Sequence, residues 1–96
     1  MLENYYVEQD VAIAMAAEFP EFTTGLIQEA EFVLAKHGVI ICSNYCYAFS
    51  EWDMLISANV LPLKEWVRVL DTDYFSARKE AVSAGLEMYK KITNKG

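Results

Sequence analysis

Gly38 marks a change of period in the apolar pattern, and that change limits what this chain can become. Before it, Leu26, Ile27, Ala30, Val33, Leu34 and His37 recur at i, i+1, i+4, i+7, i+8 and i+11, one stripe of an amphipathic helix. Gln28, Glu29, Glu31 and Lys36 mostly take the other side. Thr23 or Thr24 can cap the start, and Gly38 suits the left-handed position just past the end, so a helix over 24–37 is expected. After it come Val39, Ile40 and Ile41, then Tyr45, Tyr47 and Phe49 alternating with Cys46 and Ala48. β-Branched and aromatic residues at period two read as strand. A β-hairpin is expected over 39–49, turning at Ser43-Asn44, with Tyr45, Tyr47 and Phe49 on one face.

The flanking segments follow from the same rules. Residues 3–19 read as a first helix: Val7, Val11, Ala14 and Met15 share a face, Glu3, Glu8 and Asp10 favour its start, and Pro20 ends it. From Ser50 to Leu70 two readings compete. Trp52, Met54 and Ile56 alternate with Asp53, Leu55 and Ser57, and 66–70 makes a further strand. Alternatively, Ser50 caps a helix with the stripe Trp52, Leu55, Ile56, Val60, and a second helix with Leu63, Trp66, Val67, Leu70 follows Pro62. The strand reading is preferred, because an isolated hairpin is marginal and gains from a third strand. A last helix is expected over about 74–92, capped by Asp73 or Ser76, with Lys90, Lys91 and Lys95 at its negative end. Gly85 costs this helix about 1 kcal/mol against alanine, so close packing against another element is expected there.

The expected fold is therefore α+β in one domain spanning 1–96: two N-terminal helices, a small antiparallel sheet and a long C-terminal helix. The alternative is all-α with about five short helices. The length of 96 residues and an apolar content of 54% supply a core and exclude a disordered tail.

Charge is unevenly placed. Residues 1–53 carry nine acids against one base, Lys36, whereas residues 54–96 carry five acids and seven bases. The net −6 argues against direct binding to nucleic-acid phosphates. No apolar run approaches a membrane span, the opening residues lack a basic-then-apolar leader pattern, and two cysteines make no disulfide framework. A cytoplasmic protein is expected. The ordinary account of the acids is the solvated faces of amphipathic helices; the sharper one is an acidic surface that meets a basic partner.

Candidate chemistry is sparse. Cys42 and Cys46 form C-x3-C with His37 upstream, but zinc needs about four ligands and no second pair is present. A Cys–His nucleophile would have to use the same three residues, and His37 reads more simply as a helix-end residue. Glu51/Asp53 and Asp71/Asp73 are paired carboxylates; Asp71-Thr72-Asp73 before a helix reads as a turn and cap. Gly25, Gly38, Gly85 and Gly96 are dispersed, so no phosphate-binding loop exists. No catalytic, metal or cofactor-binding residue is assigned. The aromatic group Tyr45, Tyr47, Phe49, Trp52 and Trp66 either packs the sheet under the helices or forms a binding patch. Its acidic neighbours, Glu51 and Asp53, argue against an RNA-stacking platform.

The stretches FVLAKHGVII (32–41) and EWVRVLDTDYFSARKEAVSAGL (65–86) resemble a type of small protein of bacterial phages and mobile elements. The resemblance implies a helix leading into an antiparallel sheet and a closing EAxxAGL-like helix, here residues 80–86, and it implies no catalytic activity. The expected function is a non-enzymatic acidic interaction protein that modulates a host system by binding a protein with a basic surface. Tyr45, Tyr47, Phe49, Trp52, Glu29 and Glu31 are the expected contact residues. The alternatives are a small-ligand binder or cysteine-dependent enzyme, and a self-assembling structural protein.

Overall fold

The computed structural model describes residues 2–60 and 63–94. A 3-10 turn, Leu2–Tyr5, precedes helix α1 (Gln9–Glu18) and helix α2 (Ile27–Lys36). Strands β1 (Val39–Cys46), β2 (Glu51–Val60) and β3 (Leu63–Asp71) follow, and helix α3 (Tyr74–Thr93) closes the fold. The strands form one antiparallel sheet in the order β1-β2-β3. This is the α+β arrangement expected, and the all-helical alternative is overturned. Pro62, on which that alternative leaned, lies outside the described residues.

Local chemistry sets most boundaries. α1 begins at Gln9 rather than Glu3, because Leu2–Tyr5 forms a 3-10 turn and Tyr6 makes a β-bridge to Leu26. Asp73 caps α3, its carboxylate accepting the Ser76 N–H at 2.8 Å. Asp71 accepts the Asp73 N–H at 3.0 Å, which makes 71–73 the turn expected. α2 begins at Ile27 with Leu26 as its N-cap, while Thr24 accepts the Leu26 N–H through its hydroxyl. Gly38 ends α2 with φ +91°, the left-handed conformation glycine adopts without a Cβ penalty.

The hairpin differs from expectation in one respect. Ser43 and Asn44 lie inside β1, opposite Met54 and Asp53, and the turn falls at residues 47–50 instead. Ser50 closes it at φ +53°. Two physical reasons account for the shift. A two-residue primed turn needs positive φ at its centre, which Ser-Asn adopts at a cost. The observed register also sets Val39 against Ala58 and Ile41 against Ile56, so that β1 shares the buried face of β2.

Residues at alternate positions, Val39, Ile41 and Tyr45 on β1 and Trp52, Met54, Ile56 and Ala58 on β2, face the helices. Met54, Ile56, Val39, Leu34, Ile27, Met15, Phe19 and Val82 are the largest fully buried side chains of one continuous core. α3 packs on all three strands, and α2 packs on α3 and on β1. Gly85 sits where they meet. A Cβ built on it would lie 3.1 Å from Leu34 Cδ1, 3.3 Å from Val39 Cγ1 and 3.7 Å from Ile56 Cγ2. The close approach expected at this glycine is thereby accounted for. Among the described residues the helices cover one side of the sheet, and no layer lies on the other.

Candidate functional site

The β1–β2 hairpin points its turn away from the core. Tyr47 and Phe49, on that turn, are 87% and 74% exposed. They do not continue the face of Tyr45, as the shorter hairpin predicted, because the ladder ends at Cys46 and Glu51. Tyr45 instead faces the helices beside its cross-strand partner Trp52.

Ring contacts join the tip to the body of the protein. Tyr47 meets Tyr45 at 4.9 Å between centroids, Tyr45 meets Trp52 at 5.0 Å, and Trp52 meets Tyr74 at 4.5 Å. Tyr74 then meets Phe75 at 5.4 Å and Phe75 meets Tyr5 at 5.2 Å. Edge-on and tilted pairs of this kind each contribute about 0.5–1.5 kcal/mol beyond burial. The Arg78 guanidinium lies 5.3 Å from the Tyr74 centroid and 5.8 Å from that of Phe75. Of this run, Tyr45, Tyr47 and Trp52 were identifiable as an aromatic group. Tyr5, Tyr74, Phe75 and Arg78 were missed, since nothing in their sequence spacing joins them to a hairpin.

Trp66 departs from the rest of the aromatic group. It lies on the uncovered side of the sheet, opposite Ser57, and is 62% exposed. Ile40, Leu55 and Leu70 are exposed on the same side. Asp53 and Arg68 form a bidentate pair across this face, at 2.7 and 3.2 Å. That hydrogen bonding holds the Asp53 carboxyl below its ordinary range.

The two acids expected to meet a partner both have partners within the chain. Glu29 accepts hydrogen bonds from the Thr23 and Thr24 N–H groups and the Thr24 hydroxyl at 2.8–3.0 Å, which lowers its pKa. Glu31 accepts a bidentate pair from Arg78 at 2.7 and 3.0 Å, half-buried between α2 and α3. Lys79 similarly approaches Glu8 at 3.6 Å. The acid-rich first half and base-rich second half therefore neutralise each other in part. Asp10, Glu18 and Glu51 make no ion pair among the described residues.

Cys42 and Cys46 are free thiols on the uncovered side of β1, four residues and about 13 Å apart along the strand. His37 sits at the end of α2, 3.1 Å from Glu21 and packed on the Phe19 and Tyr89 rings. The three do not converge, and among the described residues no group of three or more His, Cys, Asp or Glu could hold a metal ion. An open cleft of about 450 Å³ between the start of α1 and α3 is lined by Glu8, Asp10, Asp71, Lys79 and Glu80. Within it, the hydrogen bond to Asp71, with burial and the Asp71 charge, pushes the Glu80 carboxyl up to about 7, while Asp71 is held low. Among the described residues no helix is long and apolar enough to cross a membrane.

Comparison with protein-family models, curated proteins and solved structures finds no match to this chain.

Proposed function

We propose that the protein is a non-enzymatic interaction module that seizes a protein partner with its hairpin tip, Tyr47 and Phe49 being the anchors. The single observation that carries this reading is the exposure of two large aromatic side chains on a four-residue turn. Aromatic residues dominate the energetics of protein interfaces, because they bury much area with few rotatable bonds. The ring contacts behind Tyr47 support the reading further. A tip fixed to the core through Tyr45, Trp52 and Tyr74 loses little conformational entropy on docking.

The net charge of −6 favours a partner with a basic surface, Glu51 being the acid next to the tip. Glu29 and Glu31 act within the fold and contribute to that field rather than to contact. The resemblance to small phage and mobile-element proteins adds a host protein in the cytoplasm as the expected target.

The test is capture of a partner by the immobilised protein, repeated with Tyr47→Ser/Phe49→Ser and with Ile13→Ser. Ile13 is also an exposed apolar residue, on α1, so its substitution controls for nonspecific adhesion. The expected result is a stoichiometric partner retained by the native protein and the Ile13 variant, lost with the tip variant, and released as salt rises. A partner retained equally by all three would refute the assignment of the tip.

A further inference from the structure

We infer that β1 is an open pairing edge, and that its occupant is β1 of a second copy of this chain, arranged antiparallel about a two-fold axis at Ser43. The two edges of the sheet are chemically different. β3 carries Arg68 and Asp71, charges of the kind that guard an edge against another strand. β1 runs Val-Ile-Ile-Cys-Ser-Asn-Tyr-Cys: eight residues without charge, proline or glycine, and its register on β2 is uninterrupted by a bulge. Among the described residues, no backbone hydrogen bond joins β1 to any element beyond β2. Its outer row of N–H and C=O groups is thus available to another strand.

Symmetry then narrows the register. Directly opposed residues of an antiparallel pair point to the same side of the sheet, so a two-fold pairing must set one residue against its own copy. For an eight-residue strand the longest ladders centre on Cys42 or Ser43. Centring on Ser43 sets Ile41 opposite Tyr45 on the helix-facing side and Ile40 opposite Cys46 on the other. Centring on Cys42 would keep one apolar pair, Val39 against Tyr45, but would set Ile41 against Ser43 and Ile40 against Asn44. The Ser43 register thus sets both isoleucines against apolar side chains, whereas the Cys42 register sets both against polar ones and pairs Tyr45 with a Val39 already buried in its own core, which selects Ser43. The product is a six-stranded sheet with β3 of each copy at its charged outer edges, and with the two α2 helices on the same side of the seam.

Size and charge make the association weak. A seven-residue ladder is about 23 Å long and a sheet-plus-helix slab about 15–20 Å deep, so both copies together bury roughly 800 Å². Stable complexes bury about 1,200–2,000 Å², so the dimer forms in a concentration-dependent manner. Each copy carries −6, and screening that repulsion strengthens the pairing. This salt response is opposite in sign to that expected for a basic partner at the hairpin tip, so the two proposals fail independently.

Sedimentation equilibrium of the purified full chain tests the inference, between about 10 and 500 µM and at low and high salt. The expected result is a weight-average mass that rises from one copy towards two, more steeply at high salt. Asn44→Lys, an exposed edge position, should hold the protein at the monomer mass with unchanged circular dichroism. Under mild oxidation, Ser43→Cys in a Cys42→Ser/Cys46→Ser background should give a disulfide-linked dimer. The Cys42→Ser variant, which retains only Cys46, should not, because copies of that residue lie about 20 Å apart across the seam. A monomer throughout the concentration range overturns the inference. So does a dimer that survives Asn44→Lys, or one whose crosslinking favours Cys46.

Discussion

Replacing Gly85 by alanine sets two opposed effects against each other, and the distances around Gly85 decide between them. In the middle of a helix, alanine is favoured over glycine by about 1 kcal/mol. At this position, however, the new methyl would sit 3.1 Å from Leu34 Cδ1 and 3.3 Å from Val39 Cγ1. Both neighbours are fully buried core residues, so relief requires α2 and β1 to give by a few tenths of an ångström. Overpacking of that order costs about 1–3 kcal/mol. The net expectation is a destabilisation of about 1 kcal/mol, read as a lower urea midpoint with an unchanged slope. The second half of the cycle separates the terms. Leu34→Val removes the Cδ1 that the methyl meets first, and in that background Gly85→Ala should stabilise, or at worst be neutral. The coupling energy between the two substitutions should approach 1–2 kcal/mol, within the usual span for residues in contact. If Gly85→Ala stabilised the otherwise native protein by its full propensity gain, the close approach of α3 to α2 and β1 would not be what requires glycine here.

Further expectations follow from the ion pairs and the tryptophans. Arg78→Lys keeps the charge but loses the bidentate geometry to Glu31 and the stacking on Tyr74, and should cost about 1 kcal/mol by chemical denaturation. The raised Glu80 pKa means the folded state holds a proton that the unfolded state has released between about pH 4.5 and 7. The Glu80 contribution is therefore complete below that window and is lost as pH rises through it. Asp71, held low, acts in the opposite sense, losing its contribution as pH falls through its folded pKa. Because Glu80 is exposed, solvent holds the effect to about 0.5 kcal/mol or less; Glu80→Gln should flatten the stability profile over the window, and an unaltered profile would count against the shared proton. Iodide should quench the fluorescence of the exposed Trp66 and spare much of that of half-buried Trp52. Trp66→Phe should remove the quenchable fraction, and persistence of that fraction would place Trp52 in solvent.

Elements whose determinants are local in sequence were legible: α2 from its stripe, its end from Gly38, the start of α3 from Asp73, and the tight contact at Gly85 from a glycine that helix propensity disfavours. The alternation of Trp52, Met54 and Ile56 likewise marked β2, once a hairpin needed a third strand. The division of the aromatic group was not legible. Whether Tyr45 faces the helices while Tyr47 stands in solvent depends on where the ladder ends, and that depends on register with β2 rather than on residues 43–50 themselves. The charge asymmetry was visible as a count, yet its outcome was hidden. Glu31 and Arg78 are 47 residues apart, and their pairing exists only because α2 and α3 pack side by side. Backbone preference and apolar period act over a few residues, so sequence alone determines elements of that reach. Register, the side of a sheet that stays bare and the partner of each charge are set by contacts between distant segments, and the tertiary structure decided them.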